Sequence, residues 1–498
     1  MTTAATAYAE LEDRFRRYLV LGQAQGVLHW DMSTMMPRGG AEARAEQLAV
    51  LKTTRHALLA APETGDLVAA AGEAELDGWR RANLAEMERR WRHATALDED
   101  LVEALSRAET ACEMAWREAR PAGDFAAVVA DLKVLVALVR ETAAAKADAL
   151  GLAPYDALLD AYEPGGRQAE IDPLFDDLEA FLPQFLGRVV EHQARRPAPV
   201  PPPGPFPIAG QRALARHLMA ALGFDFDHGR LDQSRHPFCG GVPDDVRITI
   251  RYDEDDFTPG LMAVLHETGH ALYERSLPPA WRHQPVGQAR SMSIHESQSL
   301  LIEMQVCRSR PFLAFAAPLI GGALGGAGEA WDGDNLYRLL TRVEPGLIRV
   351  DADEVTYPAH VIVRYGIEKA IIGGTMEAAE IPAAWNEGMD RLLGITPPGD
   401  GDGCLQDIHW YDGAWGYFPT YTLGAIAAAQ IFAAARQADA TITAAIAKGD
   451  FKPLLAWLGQ AIHAQGSLLS VPELLTQATG RALDADLFKT HLKDRYLA

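Results

Sequence analysis

The chain has 498 residues, 48% of them hydrophobic and 23% charged, enough to bury a large core and ordinary for a globular protein. Its net charge of −22 is scattered along the sequence with no like-charged tail, which argues against a nucleic-acid partner and against long-range capture of anionic substrates. Four cysteines, Cys112, Cys239, Cys307 and Cys404, fall outside any CxxC spacing, so neither a disulfide framework nor a cysteine zinc knot is expected.

The opening residues MTTAATAYAELEDRFRR lack the basic start and apolar core of a secretory signal, and the cytoplasm is the expected compartment. Residues 8–61 and 73–150 are rich in Ala, Leu, Glu and Arg, with apolar residues three and four apart, and read as helix. Residues 171–196 read as one more amphipathic helix, ended by PAPVPPPGPFP (197–207), a stiff, extended, solvent-facing connection. One strand is convincing. In VRITIRY, Val246, Ile248, Ile250 and Tyr252 alternate with Arg247, Thr249 and Arg251. Helical patterning then resumes, with Gly-rich turns near 321–328 and 398–403. The GGALGGAG run lacks the Lys and Ser/Thr of a phosphate loop and reads as a flexible turn. The most apolar run, LGAIAAAQIFAAA (423–435), is too short to span a bilayer, so no membrane partner is expected. The expectation is a large, mainly α, single-domain protein over 1–498 with a small β-sheet beside its chemistry.

That chemistry sits in MAVLHETGHALY (262–273), where three polar residues interrupt an apolar helix. His266 and His270 are four apart, so both imidazoles leave one helix face and can reach a single divalent ion. Glu267 lies roughly 100° around the helix from His266, placed for a general base and not for a ligand. Burying two imidazoles and a carboxylate without partners would cost several kcal/mol, on the order of the desolvation penalty of each group. A metal supplies the missing partner. SMSIHESQSLLIEM (291–304) reads as a second helix, with Ser293 as its N-cap and Leu300, Leu301 and Met304 facing inward. Glu296, one turn before Leu300, points inward too and completes a His₂Glu set. His295 is the competing third ligand. Such a set suits one zinc ion per subunit, with cobalt or manganese also fitting.

A run of further motifs makes the chain recognisable. HPF is His236, Pro237 and Phe238; DxRxT is Asp245, Arg247 and Thr249; HESQ is His295 to Gln298. (I/V)RxxAD is Ile348, Arg349, Ala352 and Asp353, and GxxQDxHW is Gly403, Gln406, Asp407, His409 and Trp410, followed by WGYFPTYTLG (415–424). YDALLDAYEPG (155–165) and HWDMSTMMP (29–37) fit the same pattern. In this order the motifs resemble those of the carboxypeptidase Taq family of metallocarboxypeptidases along nearly the whole chain. The chain departs from the family where HESQSR is usually followed by Trp-Glu-Asn: here Leu300, Ile302 and Met304 stand in those places.

The resemblance implies a cytoplasmic, homodimeric enzyme that removes single C-terminal residues from peptides, with broad specificity and poor action on C-terminal Pro. It also implies a deep central groove, which the N-terminal helices (about 1–150) would roof. Such an enzyme needs a cation for the free α-carboxylate. Arg349 offers a bidentate fork within a family motif, its alternative being an ion pair with Asp351, Asp353 or Glu344, and Arg247 is the rival. His409 and Tyr417 are candidate donors to the developing oxyanion, against the alternative of an aromatic core cluster with Trp410, Trp415, Phe418 and Tyr421. His236 could line the substrate site, and Asp407 could orient a neighbouring histidine. Two other readings remain open: a helical metallo-oligopeptidase or dipeptidyl carboxypeptidase, and a metal-stabilised binding protein, which would have no need of Glu267.

Overall fold

The computed structural model of the protein describes residues 3–234 and 237–498. They form twenty α-helices and one three-stranded sheet. The chain starts with α1 (Ala4–Thr34), α2 (Ala41–Ala60), α3 (Pro62–Ala71) and α4 (Gly78–Thr95), then α5 (Glu99–Ala122), α6 (Val129–Leu150), α7 (Pro154–Leu159) and α8 (Gln168–Ala194). After α9 (Ile208–Ala221) come β1 (Gly229–Gln233), β2 (Phe238–Val242) and β3 (Asp245–Ile250). They lead to α10 (Thr258–Ser276), α11 (Met292–Leu300), α12 (Arg310–Leu324) and α13 (Gly333–Leu340). The chain continues through α14 (Tyr357–Ile372), α15 (Ile381–Leu393), α16 (Pro419–Ala438) and α17 (Ile442–Ile446) to α18 (Lys452–Ala461), α19 (Val471–Thr479) and α20 (Ala485–Tyr496). No described helix is long and apolar enough to cross a membrane.

Two compact units result. One comprises Met1–Ala94, Ala198–Thr341 and Ala427–Leu483; the other comprises Thr95–Pro197, Arg342–Ile426 and Asp484–Ala498. The N-terminal segment 1–150 is therefore divided between them at residue 94.

In the first unit, α1 shows why the N-terminal sequence folds as it does. Thr3 caps it, its hydroxyl accepting from the Thr6 N–H at 3.2 Å. Ala7, Leu11, Phe15 and Leu19 recur every fourth residue and are all buried, the first three packing with Leu59, Val68 and Met87. Each such aliphatic or aromatic side chain contributes about 1.5–3 kcal/mol by its burial. The helix expected over 8–61 is broken between α1 and α2, where Pro37, Gly39 and Gly40 interrupt the pattern, and Pro62 then opens α3.

The sheet has the order β1-β3-β2, with β1 parallel and β2 antiparallel to β3. Ile248 at its centre pairs with Leu231 on one side and Cys239 on the other. Val246, Ile248 and Ile250 are buried, as the alternation predicts, and Thr249 is buried with them. β1, GRLDQ, has little strand character of its own, and β2, FCGGV, is interrupted by two glycines; both are held as strands by pairing with β3. α10 packs against β2 and β3 and against α11.

Two local expectations need correction. Ser291, not Ser293, caps α11: its hydroxyl accepts from the Ile294 N–H at 3.2 Å. The GGALGGAG run is not wholly a turn. α12 continues through Gly321 and Gly322 to Leu324 and stops at Gly325, whose φ of +73° favours glycine.

In the second unit, α14 carries a buried polar stripe, His360, Arg364 and Glu368, each fully buried. Glu368 accepts from the Tyr155 hydroxyl at 2.7 Å and the Trp410 indole at 3.1 Å, tying together segments far apart in sequence. α20 is pinned by Glu354, which accepts from His491 at 2.8 Å, Arg495 at 3.0 Å and Tyr496 at 3.1 Å.

Candidate metal centre

α10 begins at Thr258, whose N–H is bonded to Asp256 at 2.9 Å, with Pro259 in the first turn where its missing N–H costs nothing. From this start the helix presents His266 and His270 one above the other. α11 brings Glu296 against them because Gly269 lets the two backbones touch. A Cβ at 269 would sit 2.5 Å from the Gln298 carbonyl oxygen and 2.6 Å from Ser299 Cα. The glycine of HETGH is thus a packing requirement as much as a motif letter.

The donors converge. His266 Nε2 lies 3.6 Å and His270 Nε2 3.4 Å from Glu296 Oε2, and one ligand atom from each residue falls within 4.8 Å of the others. No other such His/Cys/Asp/Glu cluster occurs among the described residues. The opposite ring nitrogens are committed elsewhere, so Nε2 is the inward face of both rings. His266 Nδ1 is 3.0 Å from Glu303 Oε2, whose other oxygen accepts from Arg308 at 2.6 Å. His270 Nδ1 lies 3.1 Å from the His295 carbonyl.

The electrostatics fit a cation. Burial opposes charge on His266, yet Glu296 and Glu303 drive its pKa upward, so a positive charge is favoured there. Burial likewise opposes ionisation of Glu296, but His266 and His270 hold its carboxylate below the usual range. Burial lowers His270, keeping its imidazole neutral with a lone pair to give. Two imidazole nitrogens and a carboxylate oxygen, with nearby negative charge, are the donor set of a divalent transition-metal site.

Glu267 sits one residue from His266 and outside the ligand set. Burial pushes its carboxyl up to about 7, opposed in part by His266 and by the nearby backbone N–H of Cys239. The sheet expected beside the chemistry packs on α10, the helix that carries the site.

In the second unit, Arg349 is buried on a single helical turn before α14. Its Nε and Nη2 donate to Asp407 Oδ1 at 3.2 and 2.8 Å, and its guanidinium lies 4.6 Å from the Tyr421 ring centre. The ion-pair partner is Asp407, not Asp351, Asp353 or Glu344. Asp407 also accepts from Arg364 Nε at 2.7 Å, and the two cations hold its carboxyl far below the ordinary range despite burial. Asp407 therefore orients arginines and not a histidine. Because Arg349 meets Asp407 through its Nε side, the Nη1 end of the fork is left facing away from that partner.

Arg247 donates to Asp245 through Nε at 3.0 Å and through Nη2, and lies over the Trp30 ring at 4.5 Å. His409 Nε2 lies 3.1 Å from the Tyr421 hydroxyl, and its ring packs on Phe418 and Tyr417 at 4.5 and 5.5 Å. Tyr417 meets Tyr162 and Tyr421 edge-on, while Trp410 stacks on Trp415. His236 lies outside the described residues.

Sequence reasoning passed over Glu303, Glu274, Arg364 and Glu368. Glu303 had a signal: it stands two turns after Glu296, between the departing residues Ile302 and Met304, in a π-helical stretch, Leu301–Cys307. His360, Arg364 and Glu368 had the same signal as HETGH, polar residues four apart on an apolar helix.

A helical scaffold that sets two histidines and a glutamate on adjoining helices, with a second glutamate beside them, defines a metallopeptidase of the HExxH class. Within that class, the chain belongs to the carboxypeptidase Taq (M32) metallopeptidase family, whose sequence model matches residues 10–496. It is 38% identical to thermostable carboxypeptidase 1 of Thermus thermophilus, over 100% of this chain and 99% of that one. It is 34% identical to carboxypeptidase 1 of Bacillus subtilis, over 98% and 97%. Among solved structures it resembles Trypanosoma cruzi metallocarboxypeptidase 1, with a TM-score of 0.97 and 42% identity over 99% of this chain and 100% of that one. The protein is a metal-dependent carboxypeptidase that releases C-terminal residues from peptides.

Proposed function

We propose that His266, His270 and Glu296 hold one zinc ion and that Glu267 is the general base of peptide hydrolysis. The observation that carries this is the convergence of two Nε2 atoms and one carboxylate oxygen, with Glu267 one residue from a ligand yet outside the ligand set. When bound, the divalent ion supplies Lewis acidity toward the scissile carbonyl and toward water. Glu267 takes the proton of the attacking water on its carboxylate and returns it to the leaving amine.

Arg349 receives the substrate α-carboxylate. Support comes from its burial, its fixing by Asp407 and the Tyr421 face, and the uncommitted Nη1 end, which together offer a preorganised cation. His409 and Tyr417 donate hydrogen bonds to the developing oxyanion; burial keeps His409 neutral, lowered to about 4, as a neutral donor should be. Arg247, already bound to Asp245 and Trp30, holds the sheet and stands second to Arg349 as a carboxylate receptor. The family resemblance supports broad specificity with poor action on C-terminal Pro, a homodimer, and a groove roofed by the N-terminal helices. Four free cysteines support a cytoplasmic address.

The test is Glu267→Gln. Metal content should stay at one ion per chain while kcat falls about 10²–10⁴-fold, the usual worth of a general base. Full activity in that variant sinks the mechanism. Zinc, cobalt and manganese are told apart by metal analysis of the purified protein. Amidating the peptide C-terminus should abolish turnover, and unchanged turnover would instead favour an oligopeptidase.

A further inference from the structure

His295 stands next to Glu296 on α11, but its ring turns toward α10. Its Nδ1 is 2.7 Å from His270 Nδ1 and its Nε2 is 2.8 Å from Glu274 Oε1. Glu274 lies one helical turn beyond His270, so His295 is inserted between two residues of one α10 face. The ring is largely buried and packs edge-on against Tyr273 at 5.6 Å.

Hydrogen-bond chemistry assigns each proton in this row. An ionised carboxylate only accepts, so His295 Nε2 carries the hydrogen donated to Glu274. A neutral imidazole then has its lone pair on Nδ1. That lone pair can only accept, and the group facing it is His270 Nδ1. His270 must therefore carry its proton on Nδ1, shared between the His295 ring and the His295 carbonyl at 3.1 Å. Its own lone pair is thereby fixed on Nε2, the nitrogen that faces Glu296.

We propose that Glu274 and His295 form a positioning relay that sets the tautomer and ring orientation of His270. The relay rests on the reading of His266, His270 and Glu296 as metal ligands. It makes His295 a support and not a ligand, and it gives the two histidines unlike supports. His266 leans directly on the carboxylate of Glu303, backed by Arg308, whereas His270 reaches its carboxylate through a second imidazole. Outer partners of metal-bound histidines are commonly worth 10–100-fold in metal affinity.

The experiment is zinc binding by chelator competition on the full-length protein, with the metal-free melting temperature recorded for every variant. His295→Asn puts an amide oxygen acceptor where Nδ1 stands, and His295→Leu puts an apolar group there. Zinc affinity should fall about 10–100-fold in His295→Leu and stay within about threefold of wild type in His295→Asn. Equal losses in both would identify His295 as a direct ligand and overturn the relay. Wild-type affinity in His295→Leu would reduce it to packing and overturn it as well. If His295→Leu does not fold, Glu274→Ala carries the test: weakened zinc binding upholds the relay, and unchanged binding overturns it. The underlying ligand reading is checked separately, because it alone fails if the wild-type chain takes up no zinc or if His266→Ala retains it.

Discussion

Gly269→Ala isolates the contact that brings the two ligand-bearing helices together. The added Cβ would stand 2.5 Å from the Gln298 carbonyl oxygen and 2.6 Å from Ser299 Cα, whereas ordinary Cβ contacts begin at 3.4 Å. Both obstacles are backbone, so no rotamer change relieves them, and α10 and α11 must separate by about 0.9 Å to restore normal contact. Overpacking of this kind costs about 1–3 kcal/mol. The better helix propensity of Ala returns about 1 kcal/mol. The metal-free protein should thus lose only about 0–2 kcal/mol, a small drop in melting temperature. The ligand set is less forgiving, because metal–ligand distances tolerate only about ±0.2 Å. Moving Glu296 several times that distance from His266 and His270 should weaken zinc binding at least about tenfold, or ~1.4 kcal/mol. Chelator competition measures the affinity and thermal unfolding of the metal-free chain measures the stability. Zinc affinity within threefold of wild type, with kcat/KM unchanged, would refute the argument that this close approach sets the site.

Asp407→Ala should destabilise the protein by about 3–5 kcal/mol in urea unfolding, because it leaves the buried Arg349 and Arg364 without their shared acceptor. It should also raise KM more than it lowers kcat, as expected of a residue that holds the proposed carboxylate receptor, Arg349. Glu354 makes stability fall in acid. Burial opposes its ionisation, but Arg495 and His491 lower its carboxyl from 4.5 to about 2. The stabilisation is therefore full above pH 4.5 and is lost as the pH falls toward 2, on the order of 3 kcal/mol in all. Unfolding free energies of wild type and Glu354→Gln across that window should converge as the pH drops; parallel curves would contradict the assignment.

The metal site was the most legible part of the sequence, because polar residues at helical spacing on an apolar face have few explanations. The same logic applied to His360, Arg364 and Glu368 would have exposed the second buried polar row. Residues far apart in sequence were harder to pair. Arg349 meets Asp407 through folding of the whole second unit, and nothing near residue 349 announces it. The cap of α11 was missed by two residues because MSIHES offers serines at both 291 and 293, and only the backbone turn selects between them. β1 and β2 were invisible for a different reason. β1 lacks β-branched and aromatic residues, the paired glycines of β2 separate Phe238 from Val242, and both strands are held by hydrogen bonds to β3.

The backbone N–H of Cys239 beside Glu267 belongs to the main chain, so a substitution at 239 leaves that dipole in place unless the newcomer is proline. The stricter demand within β2 falls on Gly241, whose φ of +85° and close approach to the Asp245 carbonyl oxygen leave no room for a Cβ. A motif would register the glycine and pass over the dipole.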